Sequence, residues 1–273
     1  MSRRRGDGMN RFAYLLAMSI TVLAAAFLAV PAAMSMLAGV TQIYARGISS
    51  GLTTDWIIEV WGLYSGTIWR SIMIALATLF VTLLIGIPAA YSFVVRPTRV
   101  TRIIDEVMTL PLAIPGLAIA LALLQLYGGL SWLRISSLFI IIGHVIFTLP
   151  FMVRAVAATL TAVDIETLEE GAASLGAGPL RRFLDVVVPA AIPGILAGSL
   201  MVVTLSIGEF NLTWMLHTPL TKTLPVGLAD AYASMRLEVA SAYTLVFFIM
   251  IIPLLAAMQL AANAARRTSG SRP

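Results

Sequence analysis

Long apolar runs separated by short polar ones organise the chain. The first run extends from Phe12 to about Val40, and a less hydrophobic stretch from Thr41 to about Gly66 sets Arg46, Asp55 and Glu59 among Trp56, Trp61 and Tyr64. Trp and Tyr in such a setting favour the membrane–water boundary. A second run covers about Thr67 to Val95, interrupted by Gly86 and Pro88, and stops at Arg96-Pro97-Thr98-Arg99. A third covers about Ile104 to Tyr127, with Pro111 and Pro115 near its start, and a fourth about Leu133 to Val153. A central segment from about Arg154 to Ile192 follows, then a fifth run to about Leu216, a polar loop from His217 to about Val239, and a sixth run from about Ala240 to Ala262. Runs of this length cross a bilayer as helices. The pattern predicts an all-α polytopic membrane protein with six transmembrane helices, divided into a basic segment 1–11, a six-span domain 12–263 and a short disordered tail 264–273.

Within the central segment, 154–192, the pattern changes to two short amphipathic helices. Asp164 is placed to cap the first, Glu166, Glu169 and Glu170 lie early where a helix N-terminus favours carboxylates, and Gly176 or Gly178 can end it in a left-handed conformation. Pro179 suits the first position of the second helix. There Leu180, Phe183, Leu184, Val187 and Val188 form one stripe, with Arg181, Arg182 and Asp185 on the other face. A pair of this kind is suited to docking on another surface.

Composition removes the soluble alternatives. Hydrophobic residues make up 59% of the 273 residues and charged ones 11%, with a net charge of +5, too little polar surface for a water-soluble domain of this size. The basic residues report topology instead of nucleic-acid binding, since no basic stripe with interleaved aromatics is present. With six spans both termini share a side, and 13 of the 18 Lys and Arg fall on it, including Arg3, Arg96, Arg154, Arg181 and Arg272. The positive-inside rule therefore puts both termini and the central segment in the cytoplasm of a bacterial inner-membrane protein. The first run can also be read as a cleaved secretory signal, but its length matches an uncleaved span. With no Cys and two His the chain offers neither disulfides nor a Cys-ligated metal site, and no nucleophile–base set is present, so neither a metal nor a catalytic residue is expected.

The string Glu170-Gly171-Ala172, with Gly176 six residues after the Glu and Val186-x-Val188-Pro189 beyond it, resembles the EAA motif of ABC importer permeases. That pattern is Glu-Ala-Ala, three residues, Gly, nine residues, Ile-x-Leu-Pro. Here Gly171 replaces the first Ala, and two valines replace Ile and Leu. The stretches Leu52-Thr53-Thr54-Asp55-Trp56, Leu110-Pro111 with Pro115, and Thr223-Leu224-Pro225-Val226 are similar to the six-span type I (MetI-like) permeases, most of all the spermidine/putrescine, aminophosphonate and ferric-iron group. The resemblance implies that Glu170, Gly171, Ala172, Gly176 and Pro189 couple the chain to an ATPase. The implied partners are two ATP-binding subunits, a second and related permease subunit, an external solute-binding protein and the lipid bilayer. The chain has no Gly-Lys pair from which to build a P-loop, so the expected cofactors, ATP and Mg, belong to the partner ATPase.

Glu209, in Ser206-Ile207-Gly208-Glu209-Phe210-Asn211, is an ionisable group at membrane depth and hence a translocation-path candidate together with Asn211; it can equally be a structural carboxylate. His144 can pair with Glu209 or serve as a hydrogen-bonded core histidine. A different reading of Glu209 and His144 is an ion relay in a secondary transporter or channel. Gly194 and Gly198 form a small-xxx-small pair for tight contact with a neighbouring span or with a companion permease.

Overall fold

The computed structural model describes the backbone of residues 4–270, so Arg3, Arg272 and the last three residues of the predicted tail lie outside it. Among the described residues there is no strand, only helices and their connections. The helices are α1 (Arg4–Ala38), α2 (Asp55–Val95), α3 (Arg99–Ala113), α4 (Gly116–Tyr127), α5 (Ser137–Ala162), α6 (Ile165–Ser174), α7 (Pro179–Gly208), α8 (Asn211–Leu216), α9 (Leu224–Ala233) and α10 (Leu237–Gly270). Several differ from the sequence expectation in extent, among them α1, which begins at Arg4, and α5, which runs on to Ala162. The second helix begins at Asp55, twelve residues before the apolar run, because Trp56 and Trp61 continue its first turns. The loop after the fifth run contains α9, and the tail read as disordered continues α10 to Gly270.

The chain divides into two compact units, residues up to Gly62 together with Ala231–Val246, and Leu63–Asp230 together with the chain from Phe247 on. In the first unit α1 ends against the start of α10: a Cβ on Gly39 would lie 2.6 Å from the Ala242 nitrogen, so only glycine permits this approach. The Tyr44 amide donates to the Glu238 carboxylate at 2.9 Å, and the Trp56 indole donates to the Thr41 carbonyl at 2.9 Å. These bonds fix the connection between α1 and α2.

The second unit is built on the pairing of α5 with α7. A Cβ on Gly194 would fall 2.5 Å from the Ala155 carbonyl oxygen, and one on Gly198 would fall 2.7 Å from Met152 Sδ. The small-xxx-small pair thus packs on a neighbouring span of the same chain, where close backbone approach replaces a hydrophobic driving force that lipid does not supply. Met152, Val153, Val156, Val187, Ala191 and Val202 fill the seam.

Among the described residues five helices are long and apolar enough to cross a membrane; α3 and α4 qualify only as a pair, bent by 112° at Ile114-Pro115. The bend has a local cause, since Pro115 denies Ile114 helical geometry (φ −94°, ψ 128°). Contacts at the two ends of the unit decide what the pair does. At one end Val95 and Arg96, at the close of α2, share a cleft with Glu166, Glu169 and Arg182. At the other, Arg134 donates to the Leu216 carbonyl at 2.6 Å, Arg70 to the Lys222 carbonyl at 3.1 Å, and the Leu224 amide to Ser71 Oγ at 2.8 Å. The chain from Arg96 to Arg134 therefore passes from one end to the other, and α3–α4 is a broken third span. Asp105 of α3 pairs with Arg154 of α5 at 3.2 Å, neutralising a carboxylate on that route.

Candidate coupling segment and the broken fifth span

The segment that joins α5 to α7 is short and internally fixed. Asp164 precedes α6 in the left-handed region (φ 48°, ψ 58°) and, contrary to the expected backbone cap, its carboxylate accepts from the Thr167 hydroxyl at 2.7 Å. The helix closes with Ala177 N–H on the Ala172 carbonyl (3.1 Å) and Gly176 N–H on the Ala173 carbonyl (2.9 Å), with Gly176 at φ +83°. That is the Schellman arrangement, and it explains the glycine by conformation. Neither Gly171 nor Gly176 has a neighbour near the position of an added Cβ, so neither is required for contact within the chain.

The second helix of the predicted pair is not separate. Pro179–Arg182 leads through a π-turn, Phe183–Val187, directly into Val188–Gly208, one helix from Pro179 to Gly208. Pro189 supplies the physical reason: it has no N–H for the Asp185 carbonyl and its ring crowds that group, so the helix widens in the preceding turn. The predicted stripe divides as a result. Val187 is buried and Phe183 and Val188 are half-buried, while Leu180 and Leu184 are exposed. Leu168 and Leu175 are exposed as well, Leu175 to 89%, so four leucines stand on the outside of a polar segment.

Glu170 is exposed and lines the cleft of about 180 Å³ with Arg96, Glu166 and Arg182. Its neighbour Glu169, read in the sequence as an early helical carboxylate and not as a coupling residue, is buried; it accepts from the Tyr91 hydroxyl at 2.6 Å and pairs with Arg182 at 3.1 Å. Spacing held the signal: Glu169 follows buried Ile165 by four residues and so shares its inward face. Arg182, assigned to the polar outer face, turns inward to meet it, whereas Arg181 and Asp185 pair in solvent.

The fifth span breaks at Glu209. α7 ends at Gly208, Glu209 is extended (φ −70°, ψ 120°), and its carboxylate accepts from the Leu212 amide (3.0 and 3.1 Å) and the Thr213 amide (3.0 Å). It caps α8, satisfying donors that membrane depth would otherwise leave bare. A Cβ on Gly116 would lie 3.1 Å from Glu209 Oε1, so the breaks in the third and fifth spans sit side by side. Asn211 is exposed on the first turn of α8. His144 is buried between Ser206 Oγ and Thr213 Oγ1, each at 2.8 Å, and its ring bonds to neither oxygen of Glu209.

A six-span helical membrane protein with an exposed, glycine-closed segment between its fourth and fifth spans has the construction of a transport permease. Residues 82–268 match the family described as binding-protein-dependent transport system inner membrane component, and the chain belongs to it. It is 27% identical over 252 residues to the putative 2-aminoethylphosphonate transport system permease protein PhnV of Salmonella typhimurium, covering 88% of this chain and 90% of that one. It is 28% identical over 176 residues to the molybdenum transport system permease protein ModB of Escherichia coli, covering 58% of this chain and 76% of that one. The fold is similar to a chain of a bacterial ABC transporter that imports the acidic polysaccharide alginate (TM-score 0.70, 15% identity, 96% of this chain and 99% of that one). It is also similar to a chain of the MetNI methionine ABC transporter in an inward-facing conformation (TM-score 0.62, 17% identity, 77% and 97%). The chain is thus the permease subunit of an ABC importer.

Proposed function

We propose that the chain moves a small polar solute across the bacterial inner membrane as one of two related but different permease subunits, receiving it from an external binding protein. Two ATP-binding subunits, which carry ATP and Mg, would seat against α6 and the first turns of α7 on the cytoplasmic side. One observation carries this reading: Leu168, Leu175, Leu180 and Leu184 are exposed on a short polar segment held rigid by the Gly176 closure. Apolar side chains there gain by burial in a partner's cleft. Glu170, Gly171, Ala172, Gly176 and Pro189 act in that seat through shape: the first three form its outer surface, Gly176 its turn and Pro189 its base.

The adjoining breaks at Pro115 and Glu209 support a translocation path between them, with Asn211 facing it and Glu209 shaping it. Discontinuous spans of this kind line solute routes because freed backbone groups need partners. Glu209 already accepts three protein hydrogen bonds from backbone amides, which removes the argument that it awaits a cationic solute such as a polyamine. Similarity to PhnV over 88% of the chain favours the aminophosphonate class. The test is co-expression with the neighbouring ATPase gene, with purification and uptake of labelled 2-aminoethylphosphonate, comparing the unsubstituted chain with Gly176→Asp. An ATPase that co-purifies with the first and not the second is expected; equal recovery overturns the seat, and uptake that follows an ion gradient without ATP overturns the importer mechanism.

A further inference from the structure

Glu169 is the carboxylate of the coupling segment that faces inward, with its side chain only 5% exposed. Three elements meet on it. The Tyr91 hydroxyl, one turn from the end of α2, donates to Oε1 at 2.6 Å, and Arg182 Nη1, on the first turn of α7, reaches the same oxygen at 3.1 Å. The Tyr91 ring packs edge-on against Phe183 with centroids 5.4 Å apart, which holds the phenol in place. Apart from this junction and from Ile165 at its first turn, which is buried in the core with Leu160 and Val187, α6 is joined only by two short links, Val163-Asp164 on one side and the glycine-containing turn 175–178 on the other.

Stability alone does not explain such a pair. Taking a carboxylate and a guanidinium out of water costs about as much as their attraction returns, and apolar side chains of the same volume would hold the elements together equally well. What the charged junction adds is direction, because its bonds fix distances and angles that apolar contact leaves free. Glu169 Oε2 and Arg182 Nε are also both buried with no hydrogen-bond partner. They are an acceptor and a donor, so the chemistry of the pair allows a second N–H···O bond.

We propose that Glu169, through Tyr91 and Arg182, is a positioning residue that makes α6 and the first turns of α7 move with the end of α2 as one lever. Displacement imposed at the exposed leucines then reaches the membrane-spanning helices and is not lost in the turn at Gly176. The inference rests on the coupling reading above, and its test separates the two. The chain has no Cys, so spin labels at Ala173→Cys and Pro97→Cys report the distance between the last turn of α6 and the end of α2 without background. Both positions are exposed. In the complex with its ATP-binding subunits in nanodiscs, the distance distribution is expected to stay narrow with no nucleotide and after trapping with ATP and vanadate. In Glu169→Gln, losing the charge-assisted bonds between separate helices should broaden the trapped-state distribution roughly twofold while the ATPase still co-purifies. Tyr91→Phe, which removes one hydroxyl and keeps the ring, provides the second variant and should broaden it less. Distributions unchanged in either soluble variant overturn the lever. Failure of the unsubstituted chain to retain an ATPase overturns the coupling reading instead.

Discussion

At the scale of single residues, the position most exposed to misreading is Glu209. An acid inside an apolar run invites a role in binding or proton transfer, yet here the acid closes a helix end: three hydrogen bonds from two backbone amides converge on its two oxygens. Removing an N-terminal cap of this kind costs about 1 kcal/mol, with the larger losses where water cannot substitute. Glu209→Ala should therefore lower the thermal midpoint in detergent and reduce uptake together, because α8 loses its fixed start. Glu209→Gln keeps an oxygen in place and should retain most of both. If the Gln variant is as stable as the unsubstituted protein but transports nothing, the charge itself is in use and the capping account fails. His144 teaches the same lesson. Its two hydroxyl partners, Ser206 and Thr213, come from either side of the break, so the ring staples the broken span to α5.

At the scale of elements, the membrane spans and their number were legible in the chain because apolar runs of bilayer length leave few alternatives. The EAA-like spacing was legible too, since Gly176 and Pro189 act on the backbone and need no tertiary information. The coupling segment's interior was not. Glu169 and Glu170 are adjacent acids, and only the packing of α6 on Tyr91 and Arg182 decides which is buried. The continuity of α7 across Val186-x-Val188-Pro189 was hidden for a different reason: proline reads as a boundary, and the π-turn that absorbs it has no sequence signature. Glycines show the same contrast and permit a test. Gly194→Ala puts a Cβ 2.5 Å from the Ala155 carbonyl, so α5 and α7 must separate, at about 1–3 kcal/mol for overpacking. Gly171→Ala meets open space in an exposed helix and should stabilise by roughly 0.5–1 kcal/mol. Thermal midpoints of the two variants moving in opposite directions would confirm that one glycine serves contact and the other does not.

At the scale of the whole molecule, the two ends of the Leu63–Asp230 unit carry different chemistry, and that difference supports a proposed orientation in the membrane. One end holds Arg96 and Arg182 in the cleft beside the coupling segment, with Arg99, Arg102 and Arg181 close to them along the chain. The other holds Lys222, paired with Asp230, and Arg134, whose guanidinium is occupied by the Leu216 and His217 carbonyls and lies 6.0 Å from the Phe139 ring centroid. The first end should be cytoplasmic. Because the chain lacks Cys, single substitutions at Leu175 and Leu220, 89% and 74% exposed, give clean reporters of the two ends. In spheroplasts a membrane-impermeant maleimide should label Leu220→Cys directly and Leu175→Cys only after permeabilisation. The reverse pattern would put the coupling segment where no ATPase can reach it. Labelling of both before permeabilisation would place the two ends on one side, and α3–α4 would then re-enter the membrane instead of crossing it.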